Sequence, residues 1–523
     1  MISIHLDGKR LERDEGSRLG SVLSDHPAGC AVGIIRPATQ EQTKTASLAI
    51  STTAGEITIE MAGKEADFLE SPDITGRLAL HWSDRYAAAF GPFPSSVRPL
   101  RKPHLYERGD VILGCGGYEP ERSYLIFSKS RHTADHGADE SGGILGKVVS
   151  GRGMLDRFTS GDRITRIEPV ISWADTSRSF TTTDPELLLE DGMQVVTRLE
   201  IMAQGYAPDR ITTEAAGSVE HLLLALRSGT FTVSLAASTH ISDSHLAGTD
   251  DVPREVRRPR REGTVTVRNT GRSAGAIYIY RADVPASFVH SVVGQVVRGI
   301  ELAKLAQEHD LLAVTIRPAR ISLLGRPLAA VREIALASGF TLKSDKEEGD
   351  RIVVSQEPGT TLDILNERHV TVTTAPVESV IDIELYDAAA PLSCDVFRRF
   401  TGLKEHDAGM MPVFFKFDDV VLFRPAIAPG TRITPENLPE GSAPAAALAI
   451  TNDSRKGAGL VGVRLSANRE FGPTSEPFEG TNIIGRVIDT EKLKKVKRVQ
   501  AVWKEEGRGR GLGDILYFRT IDE

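Results

Sequence analysis

The chain of 523 residues carries a net charge of −8, and 40% of its residues are hydrophobic and 26% are charged. This composition predicts several folded domains and argues against a disordered chain and against a general nucleic-acid binder, whose surface is usually basic. Three scattered cysteines, no signal-peptide pattern and no apolar run of about 20 residues predict a cytoplasmic protein without a membrane span or a self-contained four-cysteine metal site.

The pattern of the N-terminal residues predicts a small interaction unit. The stretch "ISIHLDGKRLERDEGSRLGSVL" gives a strand, an Asp-Gly turn, a second strand and a short helix. This order resembles the start of a ubiquitin-like β-grasp domain. We therefore predict a β-grasp-like unit over residues 1–48.

The stretch "GGILGKVVSGRGMLD", residues 142–156, has the glycines and the lysine of a phosphate-binding loop. Such a loop needs Gly, four residues, Gly-Lys and then Ser or Thr, because the hydroxyl group binds magnesium. Here Gly146-Lys147 is followed by Val148, and Ser141 occupies the position of the first glycine. No strand runs into a G-x-G-x-x-G pattern and a helix, so the dinucleotide motif also fails. The stretch needs a structural explanation instead.

Two later stretches repeat this pattern and explain it. "SVVGQVVRGIEL" begins at Ser291 and "NIIGRVIDTEKL" at Asn482, which aligns Gly146, Gly294 and Gly485. A strand-like segment and a polar loop precede each stretch, and three candidate opening strands lie further upstream. Three divergent copies of one β-rich module account for this pattern. In each copy, the glycine would let another backbone approach or mark a bend.

The interval between the second and third copies is longer and holds a further unit. Its sequence, "LLGRPLAAVREIALASGFTLKSDKEEGDRIVVSQEPGTTL", predicts a helix from Pro327-Leu328 to Ala337, closed by Gly339, and then strands. It resembles a PASTA domain, most specifically in its Ser-Gln-x-Pro-Gly ending, and a spacer role is expected. The predicted boundaries are 49–175, 190–320 and 376–523 for the three copies and 321–375 for the PASTA-like insertion.

The three modules resemble cyclophilin-like barrels. "GEITIEM" and "VIDIELYDAAAPLSCDVFRRFTG" resemble the opening strand and first helix of a cyclophilin, and "GILGKVVSGRGMLDRF" its Gly-Lys-Val segment. The resemblance implies a multi-domain, mainly β protein with some α, built from repeated cyclophilin-like barrels. Prolyl isomerisation would need an arginine and a Gln-Phe-Phe-type pocket, and these signatures are absent. Arg424, in "VVLFRP", is the nearest counterpart, and we expect nothing aromatic to complete a pocket around it. We expect instead that a barrel without these catalytic groups retains its groove for binding.

The cysteines have both a functional and a structural interpretation. Cys115, in "LGCGGY", could ligate an iron–sulfur cluster shared with a partner, because neighbouring glycines allow close approach. Cys30, in "HPAGCAVGII", has a similar setting. The structural interpretation, which is favoured for both, is that they are small buried residues; packing is also the expectation for Cys394 in the helix-like "LSCDVFRRF". We expect no cofactor held by this chain alone.

His132 and His136 form "HTADH", a pair four residues apart. On a helix this spacing could hold zinc. The glutamate of the H-E-x-x-H protease motif is missing. The pair also follows a predicted strand, where a loop is the expected structure, so no metal site is predicted.

The stretch "PREVRRPRRE" predicts an extended, exposed loop because it contains two prolines. It could dock an acidic partner surface or a phosphate-bearing ligand, or it could be a solvated loop. The candidate partner-binding residues are Arg254, Arg257, Arg258, Arg260 and Arg261.

Order and motifs together resemble the methanogenesis marker protein 3 family over essentially the full chain. The resemblance is carried by "GDVILGCGGYEPERSYLIFSK" from Gly109, "GGILGKVVSGRGMLDRFTSGDRITRIEPV" from Gly142, "HSVVGQVVRGIELAKLA" from His290 and "FEGTNIIGRV" from Phe478. It implies a methanogen cytoplasm and association with methyl-coenzyme M reductase and its ATP-dependent reductive activation proteins, including an ATP-hydrolysing component. We predict a non-enzymatic scaffold of that assembly that binds neither nucleic acid nor membrane. The alternatives are a cyclophilin-type prolyl isomerase or assembly chaperone, and a redox subunit that shares an iron–sulfur cluster.

Overall fold

The computed structural model describes residues 1–36, 47–62, 69, 71–170, 179–248, 252–427, 430–495 and 500–506. Contacts between residues divide the chain into two compact units, one holding Met1–Ala319 and the other Arg320–Asp514.

The first unit is built mainly of strands. Its strands are β1 (Ile2–Leu6), β2 (Lys9–Arg13), β3 (Val32–Ile35), β4 (Ser47–Thr52), β5 (Gly55–Met61), β6 (Leu80–Ser83), β7 (Ala87–Phe93), β8 (His104–Tyr106), β9 (Asp110–Cys115), β10 (Ser123–Ser128), β11 (His132–Ala134), β12 (Ile144–Ser150), β13 (Ile164–Val170), β14 (Phe180–Thr182), β15 (Gln194–Val196), β16 (Arg198–Ala203), β17 (Tyr206–Ala207), β18 (Arg210–Ile211), β19 (Thr230–Thr232), β20 (Leu235–Ala236), β21 (His240–Asp243), β22 (Thr264–Arg268), β23 (Ile277–Tyr280), β24 (His290–Arg298) and β25 (Leu311–Arg317). Its α-helices are α1 (Pro72–Thr75), α2 (Ala216–Ala225) and α3 (Ile300–Leu305).

The second unit has more helix relative to its strands. Its strands are β26 (Thr341–Ser344), β27 (Arg351–Glu357), β28 (His369–Pro376), β29 (Val380–Leu385), β30 (Gly409–Lys416), β31 (Val420–Phe423), β32 (Ala447–Thr451), β33 (Val461–Arg464), β34 (Thr481–Val487) and β35 (Gln500–Glu505). Its α-helices are α4 (Leu328–Ser338), α5 (Thr361–Glu367), α6 (Pro391–Thr401) and α7 (Thr490–Lys495). The predicted multi-domain, mainly β fold class is confirmed.

The N-terminal sheet draws strands from two distant parts of the chain. Its order is β14-β3-β15-β1-β2, and β1 pairs in parallel with β15 through Leu6 and Val195. Ile4, Ile34 and Val195 lie in its buried core. The boundary therefore differs from the predicted 1–48, because β14 and β15 have three residues each and too little pattern to be detected. Strand β4, which begins at Ser47, belongs to the next sheet.

Three sheets repeat one strand order, and they define three copies of a module. The order is β5-β12-β9-β10-β7-β6 in the first copy, β16-β24-β22-β23-β21-β20 in the second and β29-β34-β32-β33-β31-β30 in the third. In the third copy, β35 pairs with both β29 and β30 and closes the barrel. In the first copy, β4 takes the place beside β5 and β13 lies outside β4. The repeated barrel module predicted from the sequence is thus present, closed in one copy and open in two.

The aligned glycines lie where the backbone of a neighbouring strand approaches closely. A Cβ atom would lie 2.2 Å from the Glu60 carbonyl oxygen at Gly146, 2.9 Å from that of Met202 at Gly294 and 2.2 Å from that of Glu384 at Gly485. The strand register shifts beside the same glycine in each copy. Only a residue without a Cβ fits such an approach, which explains the stretch that looks like a phosphate loop.

The second and third copies also begin their first helix in the same way. Backbone amides at the start of α2 donate to the carboxylate of Glu255, with 2.8 Å from Ser218 N. The start of α6 donates to Glu436 in the same manner, with 2.8 Å from Ser393 N. A carboxylate satisfies amides that have no partner within the helix. This shared cap, which comes from a distant part of the chain, is a further structural feature that the two copies have in common.

The segment between the second and third copies is a helix packed on a three-stranded sheet. The order is β26-β28-β27, and Val331 on α4 packs with Val353 and Val370. Helix α4 ends at Gly339, whose backbone is left-handed with φ of 70°, as the sequence predicted. Gln356 of the Ser-Gln-x-Pro-Gly ending accepts a hydrogen bond from Leu323 N at 2.9 Å. This bond ties the start of the insertion to β27.

Candidate functional site

The outer sheet face of the first copy carries a cluster of aromatic rings and imidazoles. On β7, β9 and β10, alternate side chains enter the barrel core, and the others form a second buried cluster on the opposite face. Strands β8 and β11 pair through Tyr106 and His132 and contribute to that second cluster. The Tyr106 ring lies 5.6 Å from His132 and 5.1 Å from His136. Trp82 stacks on His136, with 6.2 Å between the rings.

Burial favours the uncharged forms of His136 and Tyr106 in this cluster. Desolvation and the neighbouring His132 lower the pKa of His136 to about 4. Burial, with nearby carboxylates, raises the pKa of Tyr106 to about 12. The Tyr106 hydroxyl donates to the Gly142 carbonyl at 3.0 Å. A cavity of about 440 Å³, lined by Trp82, Tyr86 and both histidines among others, opens beside the cluster.

The glycines around Cys115 serve the chain's own backbone. Cys115 N donates to the His136 carbonyl at 2.9 Å. A Cβ atom on Gly114 would lie 2.5 Å from the same oxygen, and one on Gly137 would lie 2.3 Å from the Cys115 carbonyl oxygen. The close approach that the sequence suggested for a partner is made here by residues 136–137.

The cysteines named as candidate ligands are buried. Cys115 is 3% exposed and its Sγ lies 3.3 Å from the Ser123 hydroxyl. Cys30 is also 3% exposed, and burial raises the pKa of its thiol. Cys394 lies in the third core, donates to the Ile484 carbonyl at 3.3 Å, and has its pKa raised by burial to about 12. A cluster shared with a partner would require Cys115 or Cys30 to be uncovered first.

The arginine-rich stretch divides into anchored and exposed residues. Arg260 donates to the Tyr280 hydroxyl at 2.6 Å and to the Pro285 carbonyl at 2.7 and 2.9 Å. Arg261 pairs with Asp283 at 3.1 Å. By contrast, the sequence-predicted candidates Arg254, Arg257 and Arg258 are exposed. The guanidinium carbon of Arg257 lies 3.4 Å from the centroid of the Phe288 ring, which is 74% exposed.

The outer face of the second copy, beneath Arg260, also carries aromatic and imidazole rings. His290 lies 4.8 Å from Tyr278, ring to ring, and its Nδ1 lies 3.0 Å from the Thr266 hydroxyl. Burial, with Arg260 and Arg268, lowers the pKa of His290 to about 4. His290 is 9% exposed, whereas Phe288 is 74% exposed, so the arginines and Phe288, rather than these rings, are open to solvent.

In the third copy the structure corrects the expectation about Arg424. The centroid of the Phe414 ring lies 3.6 Å from its guanidinium carbon, because Phe414 lies on β30 and Arg424 directly follows β31, the strand paired with it. Phe415 and Phe417 are 46% and 58% exposed, and their rings lie 4.2 Å apart. An aromatic neighbour for Arg424 therefore exists. The sequence analysis missed this neighbour because Phe414 lies ten residues before Arg424 in the chain.

The ring cluster of the first copy was not predicted from the sequence. Trp82, Tyr86 and Tyr106 were not singled out, although four of the 13 histidines lie between residues 81 and 136. That clustering was the available signal. The cluster itself depends on the pairing of β8 with β11, which no local pattern indicates.

A family model matches one part of the chain, and related proteins match nearly all of it. Residues 381–506, the third barrel, match a family described as "Putative peptidyl-prolyl cis-trans isomerase domain". A UPF0288 protein of Methanosarcina barkeri is 38% identical, with 97% of this chain and 98% of that protein covered. The chain belongs to the UPF0288 family. A UPF0288 protein of Methanothermobacter thermautotrophicus is 31% identical, with the same 97% and 98% covered. These UPF0288 relatives come from methanogenic archaea.

Solved structures show only distant similarity to this UPF0288 chain. The Mimivirus cyclophilin is 12% identical, with a TM-score of 0.19 and coverage of 27% of this chain and 98% of that one. A conserved protein from a locus in Enterococcus faecalis is 18% identical, with a TM-score of 0.17 and coverage of 23% and 30%. Within the described ranges, no helix of the UPF0288 chain has the length and apolar character needed to cross a membrane.

Proposed function

We propose that this UPF0288 protein is a non-enzymatic scaffold of the cytoplasmic assembly that reductively activates methyl-coenzyme M reductase at the expense of ATP. Full-length relatives in methanogens support a role tied to methanogen metabolism. The motifs shared with the methanogenesis marker protein 3 family support the particular assembly. Three divergent barrels and a helix-on-sheet insertion in one chain offer many surfaces for docking.

One observation carries the docking proposal. Arg254, Arg257, Arg258 and Phe288, named here the basic edge, are exposed together on the second copy. Arg260 and Arg261 anchor the stretch from beneath. An anchored loop loses little conformational entropy on binding, and arginine and aromatic residues are enriched in interfaces. The basic edge therefore suits an acidic surface on the reductase or on an activation protein.

Replacing Arg257 with glutamate tests the basic edge. We expect the affinity of the partner complex to fall by about 30-fold, because a hot-spot residue contributes about 2 kcal/mol and the new charge repels an acidic surface. The tagged protein is purified anaerobically from its native host, and co-purifying reductase subunits and the ATP-hydrolysing component are quantified by mass spectrometry.

Arg272→Glu is the matched control, because Arg272 is an exposed arginine of the same copy outside the basic edge. It should leave recovery unchanged. A wild-type protein that purifies alone would contradict the scaffold proposal, and equal losses for both variants would contradict the basic edge. Iron in the preparation that disappears in Cys115→Ser would favour the redox alternative.

A second candidate function, prolyl isomerisation, is favoured by Arg424 beside Phe414 in the barrel that matches the isomerase family. Against it, a Cβ atom on Gly462 would lie 2.3 Å from the Pro473 carbonyl oxygen. Gly462 pairs with Leu422, two residues before Arg424. The chain's own backbone thus occupies part of the sheet surface near the arginine.

The scaffold proposal expects no acceleration of X-Pro exchange by the purified protein. Uncatalysed exchange takes tens to hundreds of seconds, so a catalyst at micromolar concentration is readily detected by a protease-coupled or NMR exchange assay. Faster exchange that is lost in Arg424→Ala and retained in Arg432→Ala would establish the isomerase instead. Arg432 is the control because its side chain is 85% exposed.

A further inference from the structure

The fold of the first copy brings two imidazole rings together without a helix. His132 lies on β11 and His136 two residues after that strand ends. The backbone between them turns so that residues 136–137 lie against Cys115. The two Nε2 atoms are 3.2 Å apart. The sequence argument against a metal at this pair relied on the absence of a helix, and the turn achieves the same approach by another route.

The hydrogen bonds of His132 fix which nitrogen holds its proton. Its Nδ1 lies 2.8 Å from the carbonyl oxygen of Ser130. A carbonyl oxygen only accepts, so Nδ1 is the donor, and in the neutral ring Nε2 keeps its lone pair. This Nε2 is the atom that lies 3.2 Å from Nε2 of His136. A ligand histidine that donates its other ring N–H to a carbonyl is the usual arrangement around protein-bound metals.

The separation of the two nitrogens fits one shared ion. Two nitrogens at about 2.0–2.1 Å from a tetrahedral zinc ion are about 3.3 Å apart, close to the 3.2 Å observed. A direct N–H···N hydrogen bond gives a similar distance. The surroundings favour the shared ion. The rings of Trp82 and Tyr86 hold the pair from the side, while the cavity of about 440 Å³ gives access from solvent. A purely structural hydrogen bond needs no such opening.

We propose that His132 and His136 form a two-histidine site for a divalent transition-metal ion of the zinc, nickel or copper class. Imidazole suits these ions, whereas magnesium and calcium prefer oxygen ligands. In the part of the chain that the structure describes, no group of three or more His, Cys, Asp or Glu side chains could hold a metal. The remaining coordination positions of the ion are therefore filled by water or by a donor atom of another molecule, so the ion can exchange.

Metal titration of the untagged full-length protein tests the site with Zn²⁺ alone as the probe. We expect wild type to bind one more equivalent of Zn²⁺ than His136→Gln, with micromolar affinity in a competition assay against a chelating dye. His81→Gln is the matched control, because His81 stacks on Tyr124 in the same copy and lies outside the pair. It should keep the wild-type stoichiometry.

A second measurement on unaltered protein covers the case in which His136→Gln fails to fold. One equivalent of Cu²⁺ should give an electron paramagnetic resonance spectrum with hyperfine splitting from two imidazole nitrogens. A spectrum without nitrogen splitting would overturn the proposal. So would equal Zn²⁺ stoichiometry in wild type and a folded His136→Gln variant, since the pair would then be joined by a hydrogen bond alone.

Discussion

Replacing Arg398 with methionine should destabilise the third barrel by about 3–5 kcal/mol, the cost of breaking a buried ion pair from one side. Arg398 on α6 donates to Glu505 on β35 at 2.9 and 2.5 Å and to Asp387 at 2.6 and 2.7 Å. The side chains of Arg398 and Glu505 are 15% and 8% exposed. The variant takes the guanidinium away from a carboxylate that is only 8% exposed and therefore poorly hydrated. Because β35 closes the barrel, the loss should be felt throughout that copy.

Native-state hydrogen exchange of the full-length chain, followed on peptides from β31 to β34, measures this change. Arg399→Met is the matched control. Arg399 is adjacent and pairs with Asp395, with side chains 47% and 36% exposed, so its loss should cost less than about 1 kcal/mol. Adding Glu505→Leu to Arg398→Met should recover most of the stability, because an apolar pair often replaces a buried ion pair at no cost. Equal effects of Arg398→Met and Arg399→Met would refute this account.

Gly485→Ala should cost about 3 kcal/mol, at the upper end of typical overpacking penalties. The added Cβ atom would lie 2.2 Å from the Glu384 carbonyl oxygen and 3.1 Å from the Leu385 Cα. Both are backbone atoms of β29, so they cannot rotate away as a side chain would. Relief requires β29 and β34 to separate, which weakens the pairing that holds the barrel together. The same exchange measurement on β29 and β34 peptides reports the loss.

A graded series makes the glycine prediction specific. Gly294→Ala, at the equivalent position of the second copy, meets its nearest atom at 2.9 Å and should cost less than Gly485→Ala. Gly457→Ala meets nothing closer than 3.8 Å and should change stability by less than about 0.5 kcal/mol. Equal penalties at Gly485 and Gly457 would show that the close approach of the strands is not what selects glycine.

The sequence revealed features that repeat or that obey a local rule. The three copies were recognisable because each carries the same glycine between apolar strand residues, and the structure places that glycine at the same strand crossing. Helix α4 was predictable because Pro327 precedes its first residue and Gly339 ends it. Each of these signals is contained in a short stretch of sequence, so it can be recognised without knowing which distant strands pair.

Features built from distant residues could not be predicted. Arg260 looked like an exposed partner-binding residue until its bond to Tyr280, 20 residues later, was known. The ring cluster of the first copy depends on the pairing of Tyr106 with His132. The boundary of the N-terminal unit depends on the pairing of β1 with β15. In each case tertiary pairing, rather than local pattern, decides the outcome.

The N-terminal sheet has a consequence for the order in which the protein is made. Leu6 pairs with Val195, so β1 cannot complete its sheet until nearly 190 more residues have been synthesised. At about 5–20 residues per second, that delay is roughly 10–40 seconds. The whole first copy, β4 to β13, emerges during this interval. The sheet that contains β1 therefore closes only after all the strands of the first copy have been synthesised.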